Sequence, residues 1–166
     1  MKPEVRAAYR ATVADYTAAR QRGDLTAAFT ALERAHVLAQ RYLIAHTVTH
    51  WRMLSVGWAL RDRREVLGQL LRLVATVVGY VTGWIPRGNT GGANVSPLQP
   101  MPMTGDLEVL MRDYNVWRDV AWRAAMAIAL VVVGWTVSVT RDQQADGAMT
   151  PSAETDSRTS SPTAPA

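Results

Sequence analysis

The chain has 166 residues, 48% hydrophobic and 19% charged, enough for one domain with a real core and too few for two of ordinary size. With no cysteine, thiolate metal sites, iron–sulfur ligation, cysteine nucleophiles and disulfides are excluded together. The net charge of +4 is unevenly spread, since residues 1–105 carry 13 basic and 6 acidic side chains and residues 106–166 carry 5 and 8. The two parts are different objects.

Met1 to Arg22 carries charges throughout and lacks an apolar run, so no secretory signal is read there. Val5, Tyr9, Val13 and Tyr16 recur at three and four, which predicts an amphipathic helix ending at Gly23. Asp24 then caps a second helix with the stripe Leu25, Phe29, Leu32, His36, Ala39. A third helix, about Leu43 to Leu60, is apolar on nearly every side, with Ile44, Val48, Trp51, Ser55 and Trp58 along one face, and is expected to be buried on two sides. Asp62 and Glu65 form the ends of a capping box that opens a fourth helix through Leu67, Leu70, Leu71, Val74 and Val78, with Gly79 and Gly83 marking its end. These two hairpins make residues 1–82 a helical domain. Trp51, Leu54 and Trp58 give it a partial resemblance to tetratricopeptide pairs.

From residue 83 to 105 helical periodicity stops, and a Gly/Pro-rich stretch with Trp84, Ile85, Val95 and Leu98 as apolar anchors reads as an ordered lid. Asp106 restarts a helix that runs amphipathically to Trp117 and then becomes a membrane-spanning segment within 106–140. Val120 to Thr140 is interrupted only by Arg123, with Trp122 and Trp135 near its ends. The alternative is a soluble five-helix bundle that buries this helix. Residues 141–166, rich in Ser, Thr, Pro, Ala and acidic side chains, read as a disordered tail. The fold expected is all-α. Arg112, Arg118 and Arg123 precede the apolar run and Arg141 follows it, which places the helical domain in the cytoplasm of a bacterium, the helix in its inner membrane and the tail outside. If the helix is buried, the protein is cytoplasmic.

The chemistry concentrates in three histidines, His36, His46 and His50, which fall within fifteen residues. His46 and His50, four apart, project from one helix face and can share an ion, and Glu33 with His36 makes the Glu-x-x-His pairing that bundle metal sites use. One carboxylate and three imidazoles suit a divalent transition metal such as zinc, copper, nickel or iron. The competing reading keeps His36 as a core histidine bonded to a backbone carbonyl and has His46 and His50 hydrogen-bond the lid. Met101 and Met103 offer thioethers, and Gly88 to Gly92 offers backbone N–H groups for an anion, but no phosphate-loop lysine follows, so nucleotide is not expected. No enzyme signature is present. Arg61, Arg63, Arg64 and Arg72 read as a solvated or lipid-facing surface, not a nucleic-acid reader, and the hairpin surfaces leave room for a protein partner.

The stretch Leu32-Glu33-Arg34-Ala35-His36, then Gln40-Arg41-Tyr42, His46 and His50, Val66-Leu67-Gly68-Gln69-Leu70, and Gly88 to Ser96 with Pro100-Met101-Pro102, resembles a small bacterial family catalogued as a domain of unknown function. Its members are often encoded among heavy-metal resistance genes, so the resemblance, which covers about residues 1–110, implies metal handling or metal stress. The competing function is a membrane-tethered helical scaffold without metal.

Overall fold

The computed structural model describes residues 1–103 and 105–148. All of its regular structure is helical: α1 (Pro3–Gln21), α2 (Leu25–Ala39), α3 (Leu43–Ala59), α4 (Arg63–Thr82), α5 (Asp106–Leu110) and α6 (Val116–Ala148). The chain divides into two units, Met1–Met126 and Ala127 onward. The first holds two antiparallel hairpins, in which α1 packs on α2, α2 on α3 and α3 on α4. Within the described part of the second, α6 continues to Ala148, so residues 141–148 are helical. The rest of the expected tail lies outside the described residues.

The helix boundaries follow from local chemistry. Asp24 Oδ1 accepts from the Ala27 N–H at 2.9 Å and Asp62 Oδ1 from the Glu65 N–H at 3.0 Å, each satisfying an otherwise orphaned donor at a helix start. Gly83 closes α4 in the left-handed region at φ +83°, where a glycine carries no Cβ penalty. The helix expected to run unbroken from Asp106 stops instead at Leu110, and Asn115 restarts it by accepting from the Arg118 N–H through its side chain.

Two apolar clusters hold the first unit together. Leu32, Met53 and Val56 are fully buried between α2 and α3, with Tyr16, Leu25 and Phe29 packed against them. At about 1.5–3 kcal/mol for each large apolar side chain buried, these three anchor the hairpins to each other. The second cluster, Val37, Ile85, Met111 and Tyr114, fastens the 83–103 segment and α5 to the end of α2, with the Tyr114 hydroxyl donating to the Ile85 carbonyl at 2.5 Å.

The expectation about the α3 face is reversed. Ile44, Trp51 and Trp58, the face expected to bury α3, stand exposed, and the buried face is His46, Thr49, His50, Met53, Val56 and Gly57. The structure therefore does not reproduce tetratricopeptide packing at the two tryptophans that suggested it. On α4 the leucine and valine stripe points outward, while Glu65, Gln69, Arg72 and Thr76 point inward. A polar stripe is buried here because it has partners inside: the 83–103 segment supplies carbonyls that those side chains bind.

Candidate metal centre

His36 comes from the last turn of α2, and His46 and His50 from successive turns of α3 on the face that meets α2. All three are buried. His36 Nε2 lies 2.7 Å from His46 Nε2 and 3.2 Å from His50 Nε2, and the ring centroids stand 4.5 to 4.8 Å apart. Among the described residues these three form a group whose ligand atoms all lie within 4.8 Å of one another.

The hydrogen bonds on the far side of two rings fix their protons. His36 Nδ1 is 2.8 Å from the Asn89 carbonyl, which only accepts, so Nδ1 carries the hydrogen and neutral His36 leaves Nε2 as a bare lone pair. His50 Nδ1 is 2.6 Å from Gln69 Oε1, and the orientation of that amide is pinned because its nitrogen donates to Glu65 Oε1 at 2.6 Å and to the Gly91 carbonyl at 2.8 Å. His50 Nε2 is therefore also a bare lone pair. Two lone pairs facing each other across 3.2 Å repel, and either a hydrogen on His46 Nε2, 2.7 Å from His36 Nε2, or a cation among the three nitrogens relieves that repulsion. His46 Nδ1, on the other side of its ring, is buried without a hydrogen-bond partner among the described residues.

The 83–103 segment is built to hold this arrangement. Gln40 donates to the Pro86 and Asn89 carbonyls at 2.9 and 3.0 Å and accepts from the Gly88 N–H. The Asn89 side chain ties back to the Ser96 and Gln99 carbonyls at 2.7 and 2.8 Å. Arg72 binds the carbonyls of Gly91, Gly92 and Val95, so it is not part of the solvated basic surface in which the sequence placed it. Glu65 accepts from the Ala93 N–H at 2.9 Å with its other oxygen, completing a line from carboxylate through Gln69 to His50 of the kind that orients metal-ligating rings. Gly91 sits at φ +82° with the His36 ring so close that a Cβ would fall 2.6 Å from it. Only glycine fits there.

Burial makes the rings neutral. His36 is held well below the usual imidazole range, first by burial and then by His46 and His50, against the opposing pull of the Asn89 carbonyl. His46 is lowered to about 3 by burial and by His50. Burial lowers His50 to about 4, although the Gln69 bond pulls the other way. Neutral imidazole is the form that ligates a metal. A cavity of about 280 Å³ reaches all three rings between α4 and the 83–103 segment, past Thr76, Ile85 and Pro97, and offers an entry path.

The structure brings the three histidines together and leaves Glu33 outside their group. The Glu33 carboxylate lies against Gly92, and burial pushes its proton affinity up. Met103 packs instead against the Ile85, Met111 and Tyr114 cluster, filling space. The glycine-rich turn does not cradle an anion through Gly88 and Gly91, whose N–H groups are committed to Gln40 and Asn89 side chains. Sequence reasoning missed Gln40, Gln69, Asn89 and Glu65 as supports. For Glu65 and Gln69 the signal was a polar stripe at Glu65, Gln69, Arg72 and Thr76, spaced four, three and four along an otherwise apolar helix.

An all-α bundle with a buried cluster of three imidazoles, two of them with proton-free nitrogens turned inward, is a protein whose core could hold a metal ion. The family described as a protein of unknown function, DUF3703, matches residues 3–111, and the chain belongs to it. That span contains all three histidines and every side chain that supports them, and it ends before α6. No curated protein and no solved structure matches the chain.

Proposed function

We propose that the protein binds one divalent transition ion through the Nε2 atoms of His36, His46 and His50, and acts in metal handling or metal stress, as the family resemblance implies. The observation that carries this reading is the pair of proton-free Nε2 atoms of His36 and His50 facing each other at 3.2 Å, with His46 Nε2 at 2.7 Å. In a tetrahedral zinc site with Zn–N bonds of about 2.0–2.1 Å, ligand nitrogens stand about 3.3 Å apart, so small ring movements would seat an ion. Three imidazoles without a thiolate suit zinc, copper, nickel or iron. Glu33 stays outside the ligand set, with its carboxylate against Gly92 of the 83–103 segment.

Two helices, Arg63–Thr82 and Val116–Arg141, are long and apolar enough to cross a membrane, with mean hydropathy 1.3 and 1.8. Of these we assign α6 as the inner-membrane anchor of a bacterium, with the helical domain on the cytoplasmic side, because Arg112, Arg118 and Arg123 precede its apolar run and Arg141 follows it. The metal reading is tested by titrating cobalt(II) or zinc into the full chain, prepared without a polyhistidine tag, beside His46→Gln and His50→Gln variants. The expected result is one ion per chain, with affinity falling by well over a hundredfold in either variant. Equal weak binding by all three would refute the site.

A further inference from the structure

Helix α4 is inside out for a soluble protein. Its inward stripe is the polar set that serves the histidine centre, and its outward stripe is Leu67, Leu70, Leu71, Val74, Val78 and Val81, with Leu71 at 72% and Val74 at 68% exposure. From Leu67 to Val81 the only charged residue is Arg72, which is turned inward onto the Gly91, Gly92 and Val95 carbonyls. The apolar face continues onto α3, where Trp51 and Trp58 border Leu70 in one shallow hollow. An exposed apolar surface of this continuity marks an interaction site and is not ordinary surface.

What covers it is indicated by its rim. Trp58 meets Arg61 and Arg63 in a second hollow beside Leu67, and Arg64 is exposed on the same helix start. Indole rings flanking an aliphatic face, with clustered guanidiniums at one end, match the boundary between acyl chains and anionic headgroups. The other end of α4 is fastened to the start of α6. Arg123 donates to the Tyr80 carbonyl and lies over the Tyr80 ring at 4.4 Å, Trp84 stacks edgewise on Trp117 at 5.1 Å, and a Cβ on Gly83 would strike Asp119. The segment that leads into the second apolar helix thus starts beside this face.

We propose that the outer face of α3 and α4 rests in the surface of an anionic bilayer, with Leu71 and Val74 among the acyl chains and Arg61, Arg63 and Arg64 at the headgroups. Helix α4 lies along the interface as a monotopic helix does, so that one helix serves lipid on one side and the histidine centre on the other. The metal site and this surface are independent: each stands if the other falls.

The absence of cysteine makes every introduced thiol unique. Full-length Val74→Cys, Asp15→Cys and Val132→Cys variants, each carrying an environment-sensitive fluorophore, are reconstituted with vesicles of phosphatidylcholine with and without phosphatidylglycerol. The Val74→Cys label should shift to the blue and lose most of its emission to lipids spin-labelled on the acyl chain. That loss should grow with phosphatidylglycerol content and cease to depend on it when Arg61, Arg63 and Arg64 are all changed to Gln. The Asp15→Cys label, on the charged face of α1, should stay accessible to aqueous iodide, and the Val132→Cys label reports successful reconstitution. The proposal is overturned if the Val74→Cys label remains open to iodide while the Val132→Cys label is lipid-quenched. It is equally overturned if spin labels at Val74→Cys broaden each other between chains without lipid contact, which would assign the face to a second copy.

Discussion

Between pH 6.5 and about 4 the folded helical domain should lose stability at a rate set by its three histidines. Each is buried and neutral, with His46 lowered to about 3 and His50 to about 4, while the unfolded chain protonates them near 6.5. A depressed folded value means that their contribution is intact above pH 6.5 and is lost as pH falls toward the folded values. In that window His46 and His50 each contribute a slope of up to about 1.4 kcal/mol per pH unit, and His36, also lowered, steepens it further. By pH 4.5 His46 and His50 alone account for a loss of about 5 kcal/mol, and His36 adds to it in the same direction, against the roughly 5–15 kcal/mol that holds a domain folded. Amide hydrogen exchange of α2 and α3 in the full chain, corrected for the intrinsic pH dependence of exchange, measures this directly. Protection should collapse near pH 5 in metal-free protein, the slope should fall by about a third in His46→Gln, and zinc should move the collapse to lower pH because protons and metal compete for the same nitrogens. Undiminished protection down to pH 4, or a slope unchanged by His46→Gln, would refute the assignment of buried neutral imidazoles.

Other expectations follow from the supports of the site. Gln69→Leu deprives His50 of the acceptor for its Nδ1 hydrogen and should weaken metal binding about 10–100-fold, less than loss of His50 itself, as read by competitive metal titration. Gly91→Ala forces a Cβ to within 2.6 Å of the His36 ring at a left-handed backbone position, so it should lower both thermal stability and metal affinity, with the backbone conformation alone costing about 1–2 kcal/mol in a melting experiment. Arg72→Met frees three carbonyls and should raise amide exchange across residues 91–95 well before α2 is affected. Glu33→Gln should leave metal affinity within about threefold of the parent, a smaller effect than loss of an orienting partner, because that carboxylate lies outside the three-nitrogen group.

Much of the fold was legible because local rules and tertiary packing agree where helices begin and end. Asp24, Asp62 and Gly83 act as the caps their residue types suggest. The histidine cluster was legible from spacing on α3, but its junction with His36 depends on which faces of α2 and α3 meet, and periodicity does not encode that. The face of α3 was misread, and on α4 the buried face is the polar one, against the usual rule. A rule that buries apolar side chains and exposes polar ones presumes water outside and no polar partner inside. Here Glu65, Gln69 and Arg72 find partners in the backbone of the 83–103 segment, so burying them satisfies hydrogen bonds instead of stranding them. The break at residues 111–115 escaped notice because Met111 and Tyr114 continue the helical spacing while in fact filling the cluster beneath Ile85.

The most direct test is X-ray absorption on the full chain, purified without a polyhistidine tag and loaded with zinc to saturation, combined with elemental analysis. One zinc per chain with three imidazole nitrogens at about 2.0–2.1 Å is the expected result, with loss of one imidazole from the first shell in His50→Gln. Absence of stoichiometric zinc, or a bound ion whose coordination is unchanged when His50 is replaced, would contradict a metal centre built on His36, His46 and His50.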